Sequence, residues 1–349
     1  MAVMPAAKVE SGQTGPARTS MKAMVQHKYG EPEAVLELQD VAMPVVKDDE
    51  VLVRVHAASV HVGDWILVRG VPYVARMATG LPKPKIHVPG SDIAGTVEAV
   101  GKDVTQLRPG DEVFGWCKGA FAEYACAAED HFLPKPSNLT FEQAAAVGVS
   151  ASIALQLLRD QAKLHSAQKV LINGASGGVG TFAVQIAKAF GAEVTGVCST
   201  KNVEMVRSIG ADHVIDYTRE DFTQGEQRYD FILDNVGNHS LSDTRRVLTP
   251  TGKLQANNGT SGGRWFGTTG TVIKTAAVSK VVRQQLGPSI KFENRKDLVV
   301  LKGLIEAGKV TPVIDRTYSL SGTGAAIAHV GDGHARGTVV ITISGADRG

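Results

Sequence analysis

One stretch of the chain decides its fold: residues 170–180 are Val-Leu-Ile-Asn-Gly-Ala-Ser-Gly-Gly-Val-Gly. An apolar run of strand length leads directly into a glycine cluster, and the cluster opens an amphipathic helical segment. Glycine allows the tight turn and lets a pyrophosphate approach main-chain N–H groups without a Cβ in the way. The N-terminus of the helix adds unpaired donors and a partial positive charge. The alternative is a plain strand-to-helix turn, but in this context the pattern predicts dinucleotide binding.

Strands and helices alternate on the C-terminal side of this turn. We predict strands over residues 169–173, 193–199, 213–216, 231–234 and 253–256, with helices over 179–190, 202–209 and 240–248. Such alternation is typical of an α/β protein with a doubly wound parallel sheet of the Rossmann type. A further helix is predicted over residues 271–285, ended by Pro288.

The region before the alternating part is β-rich. Strands are predicted over residues 22–26, 50–56 and 93–100, with Gly and Pro breaks between them, which is typical of a small barrel or sandwich. Residues 338–343 form a strand again, and we expect it to return to this first unit. Residues 1–20 lack an apolar signal core and are interpreted as a disordered leader or cloning remnant, with a transit peptide as the weaker alternative.

Composition excludes several function classes. The net charge is +2, with 37 basic and 35 acidic residues and no long run of either sign, so we expect no nucleic-acid partner. No apolar run reaches the roughly 18 residues of a membrane span. The three cysteines, Cys117, Cys126 and Cys198, form neither a disulfide framework nor a C-x-x-C metal pair, which favours a reducing, cytoplasmic setting.

The choice of nucleotide is expected at the end of the second strand of the alternating part. An acidic residue there would hold the ribose 2′-hydroxyl of NADH. The sequence at residues 197–202 is Val-Cys-Ser-Thr-Lys-Asn, with two hydroxyls and an ammonium and no carboxylate. These groups suit a 2′-phosphate, so NADPH is predicted. Alternatively Ser199 or Thr200 only caps the next helix, and both roles can coexist.

These residues and the segments around them resemble the medium-chain dehydrogenase/reductase superfamily, and within it the zinc-independent quinone oxidoreductase branch that includes zeta-crystallin-like proteins. The resemblance covers nearly everything from Met21 to Ile343. Its motifs are Pro-Gly-Ser-Asp-Ile-Ala-Gly at 89–95, Gly-Asp-Glu-Val-Phe-Gly at 110–115, Gly-Ala-Phe-Ala-Glu-Tyr at 119–124, the glycine cluster, Gly-Ala-Asp-His-Val-Ile-Asp-Tyr at 210–217 and Gly-His-Ala-Arg-Gly at 333–337.

The resemblance implies two domains and a homodimer. Residues 21–146, completed by about 295–349, would form a chaperonin-10-like catalytic domain, and residues 147–294 the Rossmann domain.

The resemblance also implies a set of cofactor contacts. Ser176, Gly177, Gly178 and Val179 would meet the pyrophosphate, Ser199 and Lys201 the 2′-phosphate, Tyr217 the adenosine end and Asn235 the nicotinamide ribose, with His334 and Arg336 closing the cleft. Tyr217 could instead be a core aromatic, and His334 and Arg336 a solvated turn.

No catalytic metal is expected. Where zinc-dependent relatives place their first cysteine and histidine ligands, this chain has His61 and Ser91. The third ligand region, 147–149, is Val-Gly-Val, and the four-cysteine structural lobe is absent, with only Cys117 in its place. One histidine does not make a zinc site.

Without a Lewis acid, hydride transfer favours a quinone or a conjugated enone, which delocalises the incoming charge. Residues 59–64 are Ser-Val-His-Val-Gly-Asp where the family usually has Ser-Val-Asn-Pro-x-Asp. His61 is either a general acid or a hydrogen-bonding substitute for the amide, and Asp64 orients the loop. Gly148 replaces a proline that is common in relatives. Residues 264–267 form a substrate-side loop, or else a core aromatic pair or dimer contact.

The sequence therefore predicts an NADPH-dependent, zinc-independent reductase of a small quinone or α,β-unsaturated carbonyl substrate. One alternative is an alcohol dehydrogenase or aldehyde reductase. The other is a non-catalytic NADPH-binding protein of the crystallin or interaction-partner kind.

Overall fold

The structure is a computed structural model, and it describes residues 19–257, 285–288 and 294–343. Most of the expected leader and the segment 264–267 therefore lie outside the described residues, although Ser20 already belongs to a strand. No helix in the described part of the chain is long and apolar enough to cross a membrane.

The N-terminal part of the chain is built from antiparallel strands. In chain order they are β1 (Ser20–Gln26), β2 (Leu36–Ala42), β3 (Glu50–Val60), β4 (Asp92–Val100), β5 (Glu112–Trp116), β6 (Tyr124–Ala128) and β7 (Phe132–Pro134). β1 pairs with β2, and β3 pairs with both β4 and β6. Along β3, Val51, Val53 and Val55 are buried, while Arg54 and His56 are half-buried, so the face that carries the valines packs on the core.

The second part is a six-stranded sheet in which every pair is parallel. Its strands are β8 (Lys169–Asn173), β9 (Glu193–Cys198), β10 (His213–Asp216), β11 (Tyr229–Asp234), β12 (Leu248–Ala256) and β13 (Gln285–Pro288). Their spatial order is β10-β9-β8-β11-β12-β13. Counted from β8 this is the 3-2-1-4-5-6 order of a Rossmann sheet, and it confirms the predicted α/β class.

The prediction of a helix over residues 271–285 is wrong at its end. Gln285–Pro288 is a strand that pairs in parallel with Lys253–Ala256. The outer edge of β12 offers unpaired backbone groups, and pairing with the next segment satisfies them. Residues 271–284 lie outside the described residues.

The last two strands return to the first sheet, as we expected for residues 338–343. They are β14 (Ile314–Ser319) and β15 (Thr338–Thr342), and β15 pairs antiparallel with β3. This seven-stranded sheet thus has the order β14-β15-β3-β4-β5-β7, with β6 on β3, and it combines strands from the N-terminal and C-terminal parts of the chain, while β1 and β2 form a separate sheet. All its pairs are antiparallel except β14 with β15, which are parallel. The domain boundaries themselves stay a prediction.

Helices cover the sheets and connect the strands. They are Pro32–Val35, Val62–Arg69, Arg76–Thr79, Phe141–Ala145, Gly148–Gln156, Gly178–Ala189, Val203–Ser208, Leu241–Arg246, Arg295–Glu306 and Thr323–Gly331, with a π-helical turn at Leu157–Ala162 and short 3₁₀ turns at Tyr73–Ala75, Glu129–His131, Thr200–Asn202, Phe222–Gln224 and Leu320–Gly322. Thr140 caps Phe141–Ala145 through a capping box with Gln143, as the sequence predicts. Val170, Leu171 and Ile172 of β8 are completely buried, because helices cover both faces of the parallel sheet.

Candidate active site

The glycine turn forms as the sequence predicts. β8 ends at Asn173, Gly174 has a left-handed φ of 78°, and the helix Gly178–Ala189 starts after Gly177. A Cβ on Gly180 would overlap the carbonyl oxygen of Gly174, so the helix can approach the strand only because residue 180 is glycine. The predicted pyrophosphate residues Ser176, Gly177, Gly178 and Val179 lie together around this helix N-terminus and are partly exposed.

The residues expected to meet a 2′-phosphate lie at the end of β9. Ser199 is partly exposed, and the exposed Lys201 has no carboxylate within ion-pair distance among residues 19–257 and 294–343. Thr200, whose hydroxyl the sequence also offered as a donor, is engaged within the chain. Its hydroxyl donates to Asp216 Oδ2 at 2.6 Å.

Asp216 corrects the view that no carboxylate is near this turn. It ends β10, which pairs with β9, so it reaches Thr200 from the neighbouring strand. Its two oxygens accept from the hydroxyls of Thr200 and Thr218 and from the backbone N–H of Thr218. The Thr200 hydroxyl holds the pKa of Asp216 below its usual value. The charge is thus engaged by local donors.

Sequence reasoning missed Asn202. Its amide Nδ2 donates to Ser176 Oγ at 3.0 Å and to Ser199 Oγ at 3.3 Å, and so connects the two expected phosphate regions. The only signal in the sequence was an asparagine at a helix start, which ordinarily indicates a cap.

Tyr217 and Asn235 both lie at the carboxyl edge of the parallel sheet, after β10 and β11, which are separated by β9 and β8. Tyr217 follows β10 with 56% of its side chain exposed, and its N–H donates to Cys198 O at 3.1 Å, so it is not a core aromatic. Asn235 follows β11 beside β8: its N–H and its Nδ2 donate to Asn173 O at 3.1 and 3.2 Å. This is the point where the strand order reverses, at which ligands of such sheets bind.

The C-terminal segment lies directly on the glycine turn. Gly337 N donates to Ser176 O at 2.8 Å, and Gly337 also forms a bridge with Gly177. His334 and Arg336 just before it are exposed. The structure therefore brings the predicted C-terminal residues next to the predicted pyrophosphate residues, although 155 positions or more separate them in sequence.

His61, Ser91 and Asp64 form the polar group at the other end of the site. His61 Nε2 lies 2.9 Å from Ser91 Oγ, within hydrogen-bond distance, and 3.5 Å from Asp64 Oδ2. Asp64 is 1% exposed, and its Oδ2 accepts from the His61 N–H at 2.9 Å. Burial raises the pKa of Asp64, against the opposing effect of the His61 charge. Asp64 is thus hydrogen-bonded to the backbone of His61.

A buried carboxylate connects this group to the cofactor side. Asp92, 1% exposed, accepts from Ser59 Oγ at 3.0 Å and from Val149 N at 2.8 Å. Val149 is in the first turn of the helix Gly148–Gln156, whose backbone dipole favours a negative charge. In the same turn, Ser150 Oγ would lie 3.3 Å from a Cβ built on Gly178. The helix start therefore touches both halves of the site.

Cysteine and metal chemistry find little support in the described part of the chain. There, no three or more His, Cys, Asp or Glu side chains are grouped so that they could hold a metal ion. All three cysteines are free thiols. Burial raises the pKa of Cys198 to about 11 and that of Cys126 to about 12, and it also raises the pKa of Cys117. Such thiols are poor nucleophiles near neutral pH.

Comparisons with known proteins agree with this architecture. Residues 47–137 match the family model of the alcohol dehydrogenase GroES-like domain, and residues 209–341 match that of zinc-binding dehydrogenases. The mitochondrial NAD(P)H oxidoreductase RTN4IP1 of Homo sapiens is 32% identical over 377 residues, covering 95% of this chain and 91% of that protein. The quinone oxidoreductase of Sus scrofa is 34% identical over 327 residues, covering 91% of this chain and 95% of that protein.

Solved structures give the same result. The quinone oxidoreductase from Coxiella burnetii superposes with a TM-score of 0.81 at 30% identity, and the match covers 93% of this chain and 100% of that chain. Fold, domain matches and full-length relatives thus coincide with the resemblance seen in the motifs. The chain belongs to the medium-chain dehydrogenase/reductase superfamily of oxidoreductases.

Proposed function

We propose that this chain is an NADPH-dependent, zinc-independent oxidoreductase that transfers hydride to a quinone or an α,β-unsaturated carbonyl compound. The observation that carries the proposal is the 2.9 Å contact between His61 Nε2 and Ser91 Oγ. The resemblance implies that these two positions hold metal ligands in zinc-dependent relatives. In this chain the side chains of His61 and Ser91 are hydrogen-bonded to each other.

The donor set does not suit zinc. Catalytic zinc sites use three protein ligands drawn from Cys, His, Asp and Glu, and a serine hydroxyl is not among them. The nearby carboxylate of Asp92 is engaged by Ser59 and Val149 N. An acceptor in this site therefore has to spread the incoming negative charge over its own conjugated system, as quinones and enones do.

His61 is the residue we propose to hold the proton. The nicotinamide supplies hydride when it is bound, and the protein contributes position and electrostatics. An imidazole donates or accepts near neutral pH, and Ser91 and Asp64 hold this one in place. The alternative, in which His61 only replaces the hydrogen bond of an amide, uses the same geometry.

His61→Asn separates the two roles. If the imidazole delivers the proton, turnover falls by about a hundredfold or more, and the alkaline limb of the pH profile changes because the proton donor that is lost at high pH has been removed. If His61 is only a hydrogen-bonding group, the asparagine retains most of the turnover and the pH profile is unchanged. Ser91→Ala is the matched variant, because it removes the partner and leaves the imidazole.

Ser199 and Lys201 support NADPH over NADH. A hydroxyl and an ammonium recognise a 2′-phosphate by charge-assisted hydrogen bonds. The carboxylate of Asp216 could repel that phosphate, but the hydroxyls of Thr200 and Thr218 donate hydrogen bonds to it. We propose Ser176, Gly177, Gly178 and Val179 for the pyrophosphate, and Tyr217, Asn235, His334 and Arg336 for the roles the resemblance implies.

The names of relatives support the substrate class. They include quinone oxidoreductases of Sus scrofa and Homo sapiens. They also include a 2-methylene-furan-3-one reductase of Solanum lycopersicum that is 32% identical over 364 residues, covering 97% of this chain and 85% of that protein. NAD(P)H in the name of the human mitochondrial relative supports a nicotinamide cofactor. A homodimer and a cytoplasmic location stay proposals.

A substrate panel tests the proposal. Purified protein with NADPH should lose absorbance at 340 nm when quinones or enones are added, and a chelator should not slow the reaction. Tight NADPH binding without turnover across the panel would favour a non-catalytic NADPH-binding protein. Turnover restricted to simple aldehydes and alcohols, and abolished by the chelator, would favour the alcohol dehydrogenase alternative.

Lys201→Ala tests the cofactor choice. It should weaken NADPH by at least about tenfold and leave NADH nearly unchanged, because a charged hydrogen bond contributes about 1.5–3 kcal/mol. Lys296→Ala, an exposed lysine on the helix Arg295–Glu306, is the control and should change neither affinity. Equal losses for both nucleotides at Lys201 would contradict the proposal.

A further inference from the structure

Asn202 does not do what an asparagine at its position ordinarily does. It stands at the N-cap of the helix Val203–Ser208, where its side chain would normally accept from an N–H of that helix. No such bond is present. The side chain is 5% exposed, and its Nδ2 instead donates to the hydroxyl oxygens of Ser176 and Ser199, at 3.0 and 3.3 Å.

This arrangement fixes the polarity of two hydroxyl groups. A serine hydroxyl has one proton to donate and lone pairs that accept. Because Asn202 Nδ2 occupies a lone pair on Ser176 Oγ and another on Ser199 Oγ, both hydroxyl protons stay available for other acceptors. With the amide reversed, its oxygen would draw both protons inward, and a phosphate would meet lone pairs on both serines.

The same amide gives little to the stability of the chain alone. Its Oδ1 is buried and finds no hydrogen-bond partner within the part of the chain that the structure describes. A buried acceptor without a partner is unfavourable, and the cap that Oδ1 could have made is not formed. The orientation of this side chain is therefore explained by the two serines and not by its own helix.

We propose that Asn202 is a positioning residue that turns the hydroxyls of Ser176 and Ser199 into donors for the two phosphate regions of NADPH. The inference rests on the proposed function. Ser176 lies at the N-terminus of the helix Gly178–Ala189, where the pyrophosphate of either nucleotide would bind. Ser199 lies where only NADPH has a phosphate. One amide thus prepares both regions at once.

Two substitutions of Asn202 test this, with dissociation constants for NADPH and NADH measured by calorimetry. Asn202→Ala should weaken NADH about fivefold through Ser176, and NADPH about 25-fold through both serines, the factors expected for one and two ordinary hydrogen bonds. Asn202→Asp has the same shape but accepts both hydroxyl protons and adds a negative charge. It should weaken NADPH by about a hundredfold or more.

A double-mutant cycle isolates the Ser199 arm. In a Ser199→Ala background, Asn202→Ala should weaken both nucleotides by the same factor, because no hydroxyl is left for the amide to orient at the 2′-phosphate. The inference is overturned if Asn202→Ala leaves the NADPH-to-NADH affinity ratio unchanged while Ser199→Ala alters it, or if Asn202→Asp binds NADPH as tightly as the wild type.

Asn294 provides a matched control. It is also an asparagine at a helix N-cap, but it does cap, since its Oδ1 accepts from Asp297 N at 3.0 Å. Asn294→Ala should lower the Tm by about 2–4 °C and change neither dissociation constant. Asn202→Ala should lower the Tm less and change both constants. If Ser199→Ala and Lys201→Ala both leave the ratio unchanged, the NADPH proposal fails, and the NADH loss in Asn202→Ala still tests the Ser176 arm.

Discussion

Gly148 is required by the buried carboxylate beside it, and this can be tested by adding a single methyl group. A Cβ on residue 148 would overlap Cγ and Oδ1 of Asp92 and lie 2.6 Å from Oδ2. Real Cβ atoms do not approach other atoms so closely. In Gly148→Ala either the carboxylate or the start of the helix Gly148–Gln156 must move.

The cost follows from what the carboxylate holds. Asp92 accepts from Ser59 Oγ at 3.0 Å and from Val149 N at 2.8 Å, and it is 1% exposed. A hydrogen bond to a charged group contributes about 1.5–3 kcal/mol, and overpacking costs about 1–3 kcal/mol. Loss of one bond with partial relaxation gives an expected destabilisation of about 3 kcal/mol. At about 2–4 °C for each kcal/mol, the Tm should fall by about 6–12 °C.

The assay is a double-mutant cycle with Asp92→Ala, followed by urea denaturation and thermal melting. In the Asp92→Ala background the methyl group has space, and Gly148→Ala should cost less than about 1 kcal/mol. Gly303→Ala is the control: this glycine lies in the helix Arg295–Glu306, and a Cβ there would meet nothing within 4 Å. It should stabilise the chain by about 0.5–1 kcal/mol.

An equal cost in the two backgrounds would show that the glycine is needed for a reason other than Asp92. A cost below about 1 kcal/mol in the wild type would show that a Cβ at position 148 is tolerated beside Asp92. Turnover should fall together with stability in Gly148→Ala, because Ser91, the partner of His61, is the neighbour of Asp92.

Three further predictions concern a thiol, a glycine and a buried acid. The pKa of Cys198 is raised to about 11 in the folded chain, whereas an unfolded thiol has a pKa of about 8.5. At pH 8, Cys198 should therefore react with iodoacetamide about two orders of magnitude more slowly in the folded chain than after unfolding. Mass spectrometry of the labelled peptide measures the two rates. Gly337→Ala places a Cβ on a residue with a φ of 95° and against the carbonyl oxygen of Val313, so it should lower the free energy of unfolding by at least about 1–3 kcal/mol. It should also weaken the binding of NADPH and NADH equally in calorimetry, and a loss for NADPH alone would contradict this. The pKa of Asp64 is raised above 3.8 in the folded chain, so the free energy of unfolding of the wild type falls as the pH rises from 3.8 to the folded-state pKa. Asp64→Asn lacks this titration. In denaturation experiments, its free energy of unfolding should therefore rise relative to that of the wild type across this pH interval, and this relative increase should disappear at lower pH.

The sequence was most informative where one local pattern determines one element. The strands predicted over residues 169–173 and 213–216 have the observed bounds. Strands of a parallel sheet are buried on both faces, so they are apolar runs that glycine, proline and polar turns interrupt on each side. The glycine turn at 174–177 belongs to the same kind of local information.

The sequence was least informative where contacts cross the sheet. Asp216 lies 16 positions after Thr200, yet the pairing of β10 with β9 places its carboxylate on that hydroxyl. Asn202 lies 26 positions after Ser176 and contacts it at 3.0 Å. Neither distance follows from periodicity or composition. The same holds for Gln285–Pro288, where strand pairing with β12 outweighs the local helical preference.

Two departures from the family pattern, His61 and Gly148, are connected in space through Ser91 and Asp92. The imidazole of His61 lies within hydrogen-bond distance of the Ser91 hydroxyl, and the carboxylate of Asp92, the next residue, fills the space that any side chain at position 148 would need. That carboxylate also holds the first turn of the helix whose Ser150 lies near Gly178 of the cofactor turn. A change at either position therefore acts on the same short segment, residues 91–92. Since packed interiors transmit small shifts, the imidazole and the glycine are two parts of one site and should be varied together when substrate preference is studied.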